Sequence, residues 1–187
     1  GVFYSAAANA ANGGAYRIEF KQSPIAGGTL GCNWQARGSH FVYGAEGETG
    51  YMRLRANAVD PYSNNDVFDS TVIGNWYGAL AGRAGWATDR AWFYGKAGVG
   101  FTDVKSTVVG GPGLLNASNS SSRAFWVAGG GIDWAWTGNW TIKMEYLFLG
   151  LDQTQSVCGP SGGSTYCSSH NLGGVHSAKL GLNYKIY

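Results

Sequence analysis

Hydrophobic and polar residues alternate one by one along most of this chain. From Phe41 to Met52, one set of positions holds Phe41, Tyr43, Ala45, Gly47, Thr49 and Tyr51. The other set holds Val42, Gly44, Glu46, Glu48, Gly50 and Met52. Strand side chains point to opposite faces with period 2, so one face of this strand lacks charge and the other carries two carboxylates. The charged face is rich in glycine, while the bulky aromatics stand opposite. A soluble sandwich or barrel hides its apolar face and shows water the charged one. The pattern here is that of a barrel turned inside out, with lipid as its outer solvent.

The same reading predicts eight strands: Val2 to Ala10, where the pattern has least contrast, then Ile25 to Gln35, Phe41 to Arg53, Trp76 to Trp86, Ala91 to Asp103, Arg123 to Ala135, Trp140 to Gly150 and His176 to Tyr187. Most are near ten residues, enough to cross a hydrocarbon layer at a tilt. The turns after the second, fourth and sixth strands are short, and the other connections are long and rich in Ser, Asn, Gly and Pro. Strict alternation puts all short turns at one end and all long loops at the other. The expectation is an all-β fold in one domain, residues 1–187. It is an eight-stranded antiparallel transmembrane up-and-down β-barrel, with short periplasmic turns and long extracellular loops.

Charge position sharpens the picture. Alternation places Glu46, Glu48, Arg83, Lys96, Asp133, Lys143, Glu145 and Lys179 on the inward face, acids and bases in equal number. A cation facing lipid at the midplane costs about 2–4 kcal/mol, so this segregation is what a bilayer demands. The outward partners are apolar: Leu80, Ala84 and Trp86; Phe93, Val99 and Phe101; Ile142, Met144, Tyr146 and Phe148; Leu180, Leu182, Tyr184 and Ile186. Trp34, Trp86, Trp92, Trp134, Trp136 and Trp140 all lie within a few residues of a short turn, where a membrane–water girdle is expected.

Composition agrees. Charged residues make up 13% of the chain, about half the usual share. Thirteen basic against eleven acidic residues give no nucleic-acid footprint. Eight Trp, eleven Tyr and eight Phe argue against disorder despite 31 glycines. No apolar run approaches a membrane-spanning helix. No basic-then-apolar leader stands at Gly1, as in a mature chain or a portion of one. Cys158 and Cys167 enclose Gly-Pro-Ser-Gly-Gly-Ser-Thr-Tyr and are expected to form a disulfide in an oxidising compartment. Cys32 falls on the aromatic face of its strand and packs there as a small apolar group.

Catalysis has few candidates. His40 sits in a short turn, His170 and His176 flank the last strand, and Asp60, Asp66, Asp69, Asp103 and Asp152 lie in or beside the long loops. No nucleophile–base–acid spacing or metal-ligand set stands out, so neither an enzyme nor a bound metal or cofactor is expected.

Several motifs carry a resemblance. Lys179-Leu180-Gly181-Leu182-Asn183-Tyr184-Lys185-Ile186-Tyr187 looks like the assembly signal that ends outer-membrane barrels, with Gly181, Leu182, Tyr184 and Tyr187 in its defining places. Leu30-Gly31-Cys32-Asn33-Trp34-Gln35, Tyr43-Gly44-Ala45-Glu46-Gly47-Glu48, Gly82-Arg83-Ala84-Gly85-Trp86, Tyr94-Gly95-Lys96-Ala97-Gly98-Val99-Gly100-Phe101 and Asn139-Trp140-Thr141-Ile142-Lys143-Met144-Glu145-Tyr146 follow in order. The chain resembles the small major outer-membrane proteins of α-proteobacteria, often described as porin family or outer-membrane β-barrel proteins. The resemblance covers strands two to eight. It departs in the long loops, at Cys32 where Tyr is commoner, and at Tyr187 where Phe is commoner. It implies residence in a Gram-negative outer membrane and engagement of the barrel-assembly machinery through the last strand.

Two readings of the interior stay open at this level. Eight strands enclose a space just wide enough for side chains to fill it, which favours a closed ionic core with a structural or surface role. A narrow channel for ions or small solutes is the alternative. Outer-membrane lipids are the expected partners. Gly78, Gly82, Ala84, Gly95, Ala97, Ala128 and Gly130 put small residues on the outward face, which either let other copies of the chain approach or ease the sharp curvature of a small barrel.

Overall fold

The computed structural model describes residues 3–11, 14–59, 67–110, 116–151, 153–161 and 164–186, with side chains at 20–57, 70–109, 117–151, 156–158 and 173–186. These residues form eleven strands: β1 (Phe3–Ala11), β2 (Gly14–Phe20), β3 (Ile25–Gln35), β4 (Phe41–Val59), β5 (Val67–Ala87), β6 (Ala91–Gly110), β7 (Asn116–Thr137), β8 (Trp140–Gly150), β9 (Gln153–Ser161), β10 (Ser164–Leu172) and β11 (Val175–Tyr184). They join in the order β3-β4-β5-β6-β7-β8-β11-β1-β10-β9, with β2 on β1. Every pairing is antiparallel.

Seven strands, β3 to β8 and β11, make the wall that the alternation predicts. The strand expected at residues 2–10 is β1. It takes the eighth position only at its foot, where Phe3 faces Ser177 and Tyr4 faces His176. Above that it pairs with β2 and β10 instead. The sheet curls until side chains of β11 meet those of β4, as the Lys179–Glu48 ion pair records. Among the described residues β3 pairs with β4 alone, and Ala178–Tyr184 of β11 pair with β8 alone. In hydrocarbon such edges are stable only when a further strand takes up their backbone groups.

The short connections are tight for local reasons. Gly38 and Gly138 adopt φ of 74° and 52°, the left-handed region that glycine enters without steric cost. Ser39 Oγ accepts the Phe41 N–H at 3.0 Å, and Thr88 Oγ1 accepts the Ala91 N–H at 3.2 Å. The long connections differ from the open loops the sequence suggests, because paired strand builds much of them. β4 to β7 run past the hydrocarbon zone, and β9 and β10 form a hairpin. Their Ser, Thr and Asn residues alternate with Val, Leu and Ala too gently to read as strand.

Polarity inverts along the long strands. In their lower parts aromatics face out and charges face in. Higher up, Leu54, Ala56, Ile73, Val104 and Val108 are buried inside, while Arg55, Asn57 and Lys105 face out. Outward aromatics bracket the zone between: Phe41 and Trp86 below, Tyr51 and Trp76 above. Phe41 to Tyr51 is ten residues along one strand. At about 3.3 Å per residue and a tilt near 40°, that is a band roughly 25 Å tall, the height of an outer-membrane hydrocarbon layer.

The interior has three levels. Val42, Trp92 and Tyr94 pack at the short-turn end. A charged layer follows. Above it Met52, Leu54, Ile73, Tyr77, Val104, Phe125, Val127, Leu147, Leu149 and Val175 form one apolar cluster.

Candidate functional site

The charged layer is assembled by parity. Glu46 and Glu48 come from β4, Arg83 from β5, Lys96 from β6, Asp133 from β7, Lys143 and Glu145 from β8, and Lys179 from β11. Each sits on the inward phase of its strand, so the curled sheet gathers all eight. Glu46, Glu48, Arg83, Lys96, Lys143 and Glu145 are buried, and Asp133 and Lys179 are half-buried.

Register sets the pairs. Asp133 stands opposite Lys143, and Lys179 opposite Glu145. Arg83 stands opposite Lys96, two like charges that repel on their own. Glu46 resolves that conflict: it accepts from Arg83 Nη1 at 2.7 Å, Lys96 Nζ at 2.6 Å and Lys143 Nζ at 2.7 Å. Lys96 is the hub, since its ammonium also donates to Glu48 and Glu145, each at 3.2 Å. Lys143 reaches Glu145 at 3.3 Å, and Arg83 lies 3.9 Å from Asp133. Lys179 closes the ring onto Glu48.

Carboxylates of Glu46, Glu48 and Glu145 come within 4.8 Å of one another, a geometry that could hold a cation. The Lys96 ammonium fills that role. Buried carboxylates need such neutralisation, because desolvation of an unpaired charge costs several kcal/mol.

Neutral groups missed by a reading of charges complete the layer. Tyr77 donates its hydroxyl to Glu48, and Tyr94 donates to Glu145 at 3.0 Å. Arg83 Nε donates to Asn33 Oδ1 at 3.1 Å. A Cβ at Gly131 would lie 2.6 Å from the Tyr94 hydroxyl, so glycine there leaves the ring its place. The signal was available: Tyr77 shares the phase of Arg83, and Tyr94 that of Lys96.

One girdle assignment is corrected. Trp34, Trp86, Trp134, Trp136 and Trp140 stand outward and exposed, but Trp92 is 8% exposed and faces in. It has the phase of Tyr94 and Lys96, and the Arg83 guanidinium lies 4.9 Å above its ring. Nearness to a short turn misleads there, and phase decides. At the end of β11, Leu182 and Tyr184 face out and Gly181 lies opposite Lys143. Tyr187 lies outside the described residues.

Cys158 is disulfide-bonded, and the β9–β10 register puts it directly opposite Cys167, whose side chain lies outside the described set. Cys32 is exposed on the outward face of β3. His40 Nδ1 lies 3.2 Å from the Ala87 carbonyl, and its ring stacks on Trp86. His176 packs against Tyr146 and Phe148. Asp103 accepts from Trp76 Nε1 and Ser122 Oγ, each at 2.7 Å. Asp60, Asp66 and Asp152 lie outside the described residues, as do the side chains of Asp69 and His170.

The comparisons with known proteins point the same way. The 31 kDa outer-membrane immunogenic proteins of Brucella melitensis biotype 1 and Brucella suis biovar 1 are each 30% identical to this chain over 171 residues. The match takes in 87% of this chain, which spans 66% of the length of those relatives. A solved structure of Ail, the attachment invasion locus protein of Yersinia pestis, covers 95% of both chains at 13% identity and a TM-score of 0.41, too loose a likeness to build on. No protein-family model matches the chain. Its inverted alternation, aromatic boundaries, charged interior and Brucella relatives have one common explanation: the chain belongs to a family of outer-membrane β-barrel proteins.

Proposed function

We propose that this protein is a structural and surface barrel of the Gram-negative outer membrane whose bore is closed by its own side chains. Lys96 carries the reading. Its ammonium sits at the centre of three carboxylates from two strands, where a conducting path would need mobile water. An apolar cluster on one side of that layer and the Trp92–Tyr94 pair on the other support closure from both ends. The protein is non-enzymatic in this reading, with His40 and His176 held in packing contacts. It takes no cofactor. Its partners are outer-membrane lipids, the barrel-assembly machinery acting on the C-terminal strand, and other copies meeting over the small outward residues.

Glu46→Gln combined with Glu48→Gln tests the role of the layer. The double change leaves Arg83, Lys96, Lys143 and Lys179 short of acid partners. Its expected result is a marked fall in melting temperature in detergent, with ion flux through vesicles unchanged. Unchanged melting with altered flux would instead favour the second reading, a narrow channel for ions or small solutes.

A further inference from the structure

The charges that the interior leaves over have a pattern of their own. Each of the four cations of the charged layer, Arg83, Lys96, Lys143 and Lys179, has a carboxylate within ion-pair reach. Just above the outward aromatics Tyr51, Trp76 and Phe101 stand three cations on the outer surface: Arg53 and Arg55 on β4, and Lys105 on β6. Arg55 lies opposite Val72, and Val72 opposite Lys105. The two charges therefore flank one residue of β5, about 10 Å apart across two strand spacings. Exposed Lys21 joins the row, its N–H donating to the Arg55 carbonyl at 3.0 Å.

Among the described residues none of these cations has an ion-pair partner, and Arg53 Nε is buried without a hydrogen-bond acceptor. Among the described side chains, the carboxylate at this level is Asp103, which is engaged by Ser122 and Trp76. Those two hydrogen bonds hold it below its ordinary pKa and keep it ionised. Among the described side chains, one engaged anion against these cations leaves the row positive.

Depth selects the counter-charge. Arg53 and Arg55 are two and four residues beyond Tyr51, which puts them about 5–10 Å above the hydrocarbon boundary. Anionic lipid head groups lie at that height. We propose that Arg53, Arg55 and Lys105 form a docking row for the phosphate groups of outer-leaflet lipids. The row grips the phosphorylated head group while the aromatics below lie against its acyl chains.

The test counts lipid retained by the refolded full chain in native mass spectrometry. The protein is taken from phosphatidylcholine vesicles with or without diphosphorylated lipid A. The expected result is selective retention of the phosphorylated lipid, reduced roughly thirtyfold by Arg55→Ala with Lys105→Ala, the size expected for two cations at an anionic surface. Lys185→Ala, beside the short turns, should leave retention unchanged. Equal retention by the double variant, or no preference over phosphatidylcholine, overturns the proposal. Displacement of the lipid by inorganic phosphate alone would mean a simple anion site and would also overturn it. The double variant removes only exposed side chains. An unaltered melting temperature without lipid A confirms that any loss is one of binding.

Discussion

Replacing Lys96 with methionine should lower the unfolding free energy by about 3–5 kcal/mol, the range seen when one partner of a buried ion pair is removed. Methionine keeps the length and most of the volume, so no large cavity contributes. What remains is the charge imbalance. Glu46 retains Arg83 and Lys143, and Glu48 retains Lys179, but Glu145 is left with only Lys143 at 3.3 Å and the Tyr94 hydroxyl. Pairing Lys96→Met with Glu145→Gln removes one charge of each sign and should recover part of the loss. Urea titration of the four proteins in vesicles gives the double-mutant cycle, with a large positive coupling expected. A Lys96→Met barrel as stable as the parent would mean that the charged layer does not hold the fold together.

Leu80→Arg probes the other face. Leu80 is 66% exposed, lies midway along the membrane-crossing part of β5, and has Gly47 and Val99 as cross-strand neighbours. In a water-soluble protein an exposed leucine tolerates this change within about 0.5 kcal/mol. At the midplane of a bilayer it should cost about 2–4 kcal/mol. The same substitution at Val109, exposed near the top of β6 beyond the lipid zone, should be close to neutral. Equilibrium unfolding of both variants in vesicles compares the two positions directly. Equal effects at Leu80 and Val109 would contradict the position assigned to the bilayer.

Much of this was legible in the sequence because membrane strands obey a period-2 rule with a high energetic penalty for error. Phase alone gathers Glu46, Glu48, Arg83, Lys96, Asp133, Lys143, Glu145 and Lys179 from six strands, and the structure brings all eight into one layer. Phase also places Trp92 inside, and it outweighs the weaker tendency of aromatics near turns to stand in the girdle. Partner choice was not legible. That Glu46 bridges Arg83 and Lys96, or that Lys179 meets Glu48, depends on how tightly the sheet curls, and no local pattern encodes curvature. β2, β9 and β10 are not legible in the sequence because outside the bilayer a polar residue on either face is tolerated. Their Ser, Thr and Asn residues therefore carry little contrast. The foot of β1 was the remaining difficulty, since Phe3 and Tyr4 alone take the place beside β11.

The most direct test of a closed bore is single-channel recording of the refolded protein in a planar bilayer, with Lys96→Ala recorded alongside. The account expects a silent membrane from demonstrably folded parent barrels. Reproducible conductance steps in the parent, with an ion selectivity that shifts in Lys96→Ala, would contradict it and make the charged layer the lining of a pore.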